Sequence, residues 1–180
     1  MDKSGETAYS LSEYSGHYLV LLFYSGDWEE TAHQLLLAFS SLQERFAQAG
    51  AAVVACSTDS ARGHSSWLRA PREDGGLGGS LSFPLWSDPS GHLAASFDLF
   101  DEEEGQCLQG VVILDGEGLV KHAMTTSMEA GETAESTLDL VKMLRAFSPA
   151  SSGSAVKAPG RSENKEKVCY RRLVHCRGQR

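Results

Sequence analysis

Sulfur is the first place to look for chemistry in this chain. Its cysteines, Cys56, Cys107, Cys169 and Cys176, could act as nucleophiles, redox pairs or metal ligands, and their spacing separates these uses. No C-x-x-C pair occurs, and Cys169, His175 and Cys176 have too few partners to close a zinc site. We therefore expect no metal and no cofactor, and free thiols in a reducing compartment. Cys56 closes the run Ala51-Ala52-Val53-Val54-Ala55, so a displaced reactive thiol competes there with the plainer reading of an inert buried side chain. Carboxylates are the second candidates. Asp27, Glu29 and Glu30 crowd a helix start, where a capping box from Asp27 to Glu30 and a favourable helix dipole account for them better than a carboxylate-based site. The run Asp101-Glu102-Glu103-Glu104-Gly105 lacks the spaced ligands of a calcium loop and reads as a solvated hairpin approach. Gly75-Gly76-Leu77-Gly78 lacks the lysine and helix start of a phosphate cradle.

The elements that must position these groups follow from hydrophobic period. Tyr18-Leu19-Val20-Leu21-Leu22-Phe23-Tyr24 is an unbroken apolar run, the pattern of a strand buried on both faces. Leu35, Leu36, Phe39, Leu42 and Phe46 then repeat at helical spacing in one long run that stops at Gly50. Central strand, short polar turn and helix place unpaired N–H groups at one sheet edge, where a small-molecule site is expected. A second buried strand ends at Ser57, and Ser57-Thr58-Asp59-Ser60 supplies a cap for the helix carrying His64 and Trp67. Gly91 to Phe97 reads as a short helix. Leu108 to Val120 reads as a hairpin of two apolar strands around Asp115-Gly116. Residues 130–147 form a last amphipathic helix with Leu138, Val141, Leu144 and Phe147 on one face.

Several blocks together are similar to the typical two-cysteine peroxiredoxins, the alkyl hydroperoxide reductase and thiol-specific antioxidant family. They are Leu11-Ser12-Glu13-Tyr14, Leu22-Phe23-Tyr24, Asp27-Trp28, Leu37-Ala38-Phe39-Ser40, Ser57-Thr58-Asp59-Ser60 with Trp67, Gly75 to Gly78, and Phe83-Pro84-Leu85-Trp86-Ser87-Asp88-Pro89. The resemblance covers residues 9–147 and implies an α/β, thioredoxin-like fold, a central mixed sheet with helices on both faces. It also implies a strand hairpin before Leu11, of which only a stub is present, so a lowered stability or a covering partner is expected. The family's P-x-x-x-T-x-x-C pattern falls here on Ser25, Glu29 and Ala32, and its pocket arginine on Gln109. No cysteine precedes Cys56. The family's resolving V-C-P falls on Val156-Lys157-Ala158, and the Tyr-Phe pair that partners G-G-L-G in oxidation-sensitive members is missing from the tail.

Peroxide reduction needs an activated thiolate and donors that stabilise the departing oxygen. At the implied positions Ala32 has no sulfur, Glu29 and Glu30 oppose a thiolate, and Gln109 donates without carrying charge. The leading expectation is a catalytically degenerate member acting by association, as a homodimer or larger homo-oligomer or with active peroxiredoxins. The alternatives are a thiol-dependent peroxidase using Cys56 or a tail cysteine, and a chaperone-like holdase.

Bulk properties set the frame. The chain has 180 residues, 41% of them hydrophobic and 22% charged, enough for one domain with a real core. We divide it into a frayed N-terminus at 1–10, a domain at 11–147 and a basic, disordered tail at 148–180. The tail carries eight Lys/Arg and two Glu, a charge of +6, so the net −8 leaves −14 on the rest. An acidic body argues against nucleic-acid binding by the folded domain. No stretch reaches the length of a membrane span and the N-terminus has no signal-peptide core, so a cytoplasmic protein is expected.

Overall fold

Six consecutive buried residues make Tyr18–Phe23 (β1) the middle of a sheet instead of its edge. The computed structural model describes residues 10–79, 81–127 and 129–147. Around β1 the chain adds Ala51–Ser57 (β2), Leu85–Ser87 (β3), Gly110–Leu114 (β6) and Val120–Thr125 (β7), in the order β3-β2-β1-β6-β7. β1, β2 and β3 run parallel, whereas β6 is antiparallel to β1 and β7. Between β3 and β6, Phe100–Asp101 (β4) and Gln106–Cys107 (β5) form a separate two-stranded ribbon.

The alternation of side chains along the strands divides the core in two. Val20 and Leu22, with Val53 and Ala55, face Glu30–Ser41 (α1), Gln43–Gln48 (α2), Ala61–Arg69 (α3) and Ala130–Phe147 (α5). Leu19, Leu21 and Phe23, with Val54 and Cys56, face the 3-10 turn Leu11–Tyr14, the short helix His92–Ala95 (α4) and the ribbon. Helices do cover both faces of a mixed sheet, as expected, but all the long ones share one face. For α1, α2 and α3 that follows from parallel order, since successive right-handed crossovers from β1 to β2 to β3 return on the same side; α5, which follows β7, packs beside α1.

Local expectations fare unevenly. Ser60 caps α3 by accepting from the Gly63 N–H at 3.1 Å, as read from the sequence. The capping box does not form. Glu29 is the N-cap of α1 and makes no side-chain capping bond, because the Asp27 carboxylate is committed elsewhere. The single helical run to Gly50 is two helices, broken at Leu42 with φ −99° and ψ 4°. The hairpin pairs as expected, but Val120, Lys121, Ala123 and Thr125 on β7 are exposed, so its second strand is not apolar on both faces. Leu138 and Val141 are buried under α5, while Phe147 is 82% exposed and leaves the predicted face. Ser10, placed in the frayed segment, caps the first 3-10 turn through Ser12. Residues 1–9 and the tail at 148–180, with Cys169, His175 and Cys176, lie outside the described residues.

Candidate functional site

The turn of residues 25–29 carries the chain from the end of β1 to the start of α1. Ser25 Oγ donates to Glu29 Oε2 at 2.5 Å, so these two positions are tied to each other at the surface. Ala32 lies in the first turn of α1 and is 1% exposed, its methyl in the larger core cluster. Gln109 precedes β6, and continuing the Phe23 to Gly110 register sets it beside Tyr24 at the C-terminal end of β1. Ser25, Glu29, Ala32 and Gln109 thus gather at one end of the central strands. This is the sheet edge at which a site was expected.

The described thiols do not share that surface. Cys56 pairs with Phe23 across the β1–β2 ladder and is fully buried; Cys107 on β5 is 1% exposed, and both are free. Burial first, and then the neighbouring Cys107 and Asp88 charges, push the Cys56 thiol well above its ordinary range. Burial and Asp88 push Cys107 up to about 12, against a backbone hydrogen bond from Thr58. Reactivity in a thiol requires thiolate and access. Neither group has them.

Sequence reasoning missed the group that dominates the turn. The Asp27 side chain is 2% exposed and that of His64 is 6% exposed, and they form a buried ion pair. His64 Nδ1 stands 3.0 Å from each Asp27 carboxylate oxygen, and Nε2 stands 3.1 Å from the Trp86 carbonyl oxygen. Both partners are acceptors, so both contacts are hydrogen bonds only when both ring nitrogens carry protons, the imidazolium form. Burial opposes that charge, but the hydrogen bond and charge of Asp27, with the Trp86 carbonyl, outweigh it and raise the His64 pKa above 6.5. The Tyr24 hydroxyl donates to Asp27 Oδ1 at 3.0 Å, and burial followed by the Asp27 charge drives its ionisation far above the usual phenol range.

A second acid anchors the same turn. The Asp27 N–H donates to Asp59 Oδ2 at 2.8 Å, and Ser57 Oγ donates to the same oxygen at 2.9 Å. Ser87 Oγ donates to the Asp59 carbonyl at 2.6 Å, joining the turn to β3. Behind this network Trp67 Nε1 donates to the Gly75 carbonyl at 2.9 Å, and the Leu77 N–H donates to the Trp67 carbonyl at 3.0 Å. The glycine-rich loop is therefore a packed wall of α3 with Leu77 fully buried. Among the described residues no group of three or more His, Cys, Asp or Glu side chains could hold a metal ion, and no helix is long and apolar enough to cross a membrane. The sequence signal for the ion pair was faint: His64 and Trp67 share one face of α3 at i, i+3, which puts a histidine on an apolar stripe.

Comparison with known proteins gives consistent results. A family model described as the AhpC/TSA family matches residues 1–123. The chain is 35% identical to Peroxiredoxin-4 of Dictyostelium discoideum over 136 residues, covering 76% of this chain and 52% of the relative. It is 36% identical to Peroxiredoxin 2 of Drosophila melanogaster over 132 residues, covering 73% and 68%. This chain therefore spans only about half the length of the first of these. Among solved structures, thioredoxin peroxidase I of Plasmodium yoelii superposes with a TM-score of 0.71 at 28% identity, covering 77% of this chain and 79% of that one.

Proposed function

The chain belongs to the AhpC/TSA family of peroxiredoxins, and from that premise we propose that it is a member without thiol peroxidase activity, acting by protein association. The observation that carries this reading is Ala32, a buried methyl in the first turn of α1 where the family pattern has its attacking sulfur. Its surroundings support the same conclusion. Glu29 and Glu30 set negative charge at the helix start, where it raises the cost of a thiolate. Ser25 is engaged by Glu29, and Gln109 supplies an amide in place of a guanidinium. Cys56, the alternative nucleophile, is fully buried and held protonated.

Association is supported by the sheet itself. β7 lies at the end of the strand order, and Leu119 and Val120 beside its start are 55% and 43% exposed. A second copy, or an active relative with the same fold, can extend the sheet there. A cytoplasmic location remains part of the proposal, although two relatives are described as mitochondrial.

Stopped-flow measurement of hydrogen peroxide consumption by the purified full chain, with a thioredoxin system supplied, tests the first half. No turnover above a no-protein blank is expected. Turnover that disappears in Cys56→Ser, or on changing either tail cysteine to serine, would overturn it.

A further inference from the structure

We propose that the Tyr24, Asp27, His64 and Trp86 network is a proton-operated latch on the turn of residues 25–29, closed while His64 carries both ring protons and released when it loses one. This inference stands apart from the question of peroxide consumption.

Within the turn the side chains supply one tie, the exposed bond from Ser25 to Glu29. The N-cap of α1 makes no side-chain capping bond. Trp28 sits at φ +68°, a left-handed conformation that a bulky side chain adopts only when its surroundings impose it, and is 51% exposed. The restraint comes from Asp27 at both ends: its N–H reaches Asp59 and its carboxylate reaches His64 and Tyr24. Residue 27 is thus pinned into the body while residue 28 is turned outward.

The polar groups that face the ring come from several elements. Tyr24 approaches from the end of β1, Asp27 from the turn, Asp59 from the connection between β2 and α3, and the Trp86 carbonyl from β3. Both carboxylates favour the charged ring. A neutral histidine has one protonated nitrogen. If Nδ1 loses its proton, a lone pair faces the Asp27 carboxylate at 3.0 Å; if Nε2 does, a lone pair faces the Trp86 carbonyl at 3.1 Å. Neither tautomer satisfies both partners, and a buried carboxylate loses its counter-charge in either case. His64 on α3 and Trp86 on β3 are themselves buried, so the uncapped surface turn is the part free to move. Trp28 moves with it.

The test uses the full chain. Nitrogen-15 NMR of the His64 ring, from about pH 5 to about pH 9, spans the histidine range and gives the midpoint. Amide hydrogen exchange, corrected for intrinsic base catalysis, reads the turn. We expect a His64 midpoint above the ordinary 6.5 and a rise of about tenfold in exchange at the Asp27 amide, which donates to Asp59, with that same midpoint, the worth of one hydrogen bond to a charged group. Amides in the middle of β1 and β6 should show no step. In His64→Gln the Asp27 amide should exchange fast at every pH. Should that variant fail to fold, Asp27→Asn provides the second arm: its amide can donate to a neutral Nδ1, so the His64 midpoint should drop below the wild-type value. A wild-type midpoint at or below 6.5, an Asp27 amide whose exchange ignores the His64 titration, or an unchanged midpoint in Asp27→Asn overturns the latch.

Discussion

Removing one partner of a buried ion pair leaves the other charged and unsolvated, so His64 and Asp27 are the residues at which single changes should be most costly. We expect His64→Ala to lower unfolding free energy by about 3–5 kcal/mol, read from urea midpoints below neutral pH. The pH dependence has a definite sign. A histidine raised on folding stabilises fully below its unfolded value of 6.5, and that stability disappears as pH rises through the folded value. Wild type and His64→Ala should therefore converge in stability on the alkaline side, and a gap that stays constant or widens with pH would remove the charged-ring assignment. Ala32 offers the complementary residue experiment. Ala32→Cys restores a sulfur to the first turn of α1 but leaves Glu29, Glu30 and Gln109 around it. Its thiol should stay at or above the ordinary value of about 8.5, giving at most about 3% thiolate at neutral pH, as read by thiolate absorbance during titration. Adding Glu29→Thr and Gln109→Arg should lower the titration midpoint, and a midpoint already depressed in the single variant would show that the carboxylates do not control the site.

At the scale of elements, much was legible because hydrophobic period survives into three dimensions. Tyr18 to Phe23 reads as a strand buried on both faces and is one, and Ser60 reads as a cap and caps α3. What failed was the capping box, in which a polar side chain had two possible partners. Asp27 looked like a capping residue by spacing, yet its carboxylate is taken by His64, 37 positions away. Nothing local in the chain encodes such a choice. The helix broken at Leu42 failed for a related reason: the apolar stripe runs on through Phe46 while the backbone does not. The glycine-rich loop shows how closely the elements are fitted. Gly76 passes the end of α3 so tightly that a Cβ there would collide with the Ala70 carbonyl and side chain. Gly76→Ala must push the loop off α3, weakening the Trp67 to Gly75 bond and the burial of Leu77. A loss of about 1–3 kcal/mol in urea unfolding is expected from overpacking, with a matching increase in Trp67 fluorescence quenching by acrylamide. Wild-type stability in this variant would mean that the loop is not fixed to α3.

For the molecule as a whole, the sheet has two unequal ends. β3 has three residues, whereas β7 has six and, among the described residues, pairs only with β6. An edge of that length exposes a row of backbone donors and acceptors, and natural proteins usually blunt or cover it. One protective device is present, Lys121, but its ammonium is drawn toward Asp115 at 3.8 Å. The Thr126 N–H donates to Gln109, which fixes the phase of the ladder: by alternation His122 and Met124 donate inward to β6, and Ala123 and Thr125 donate outward, as far as the register shift between Ile113 and Leu114 that leaves Lys121 out of the pairing. A second copy pairing on that edge would join two five-stranded sheets and cover Leu119 and Val120. Ala123→Pro tests this cleanly, since it removes an outward donor while leaving the bonds to β6 intact, and proline is tolerated on edge strands. Light scattering after size exclusion should give the full chain at twice its 19.4 kDa and the variant at the single-chain mass, with the same far-ultraviolet circular dichroism. A variant that stays dimeric would move the interface away from β7, and a wild type that is monomeric at every concentration would remove self-association from the proposed function.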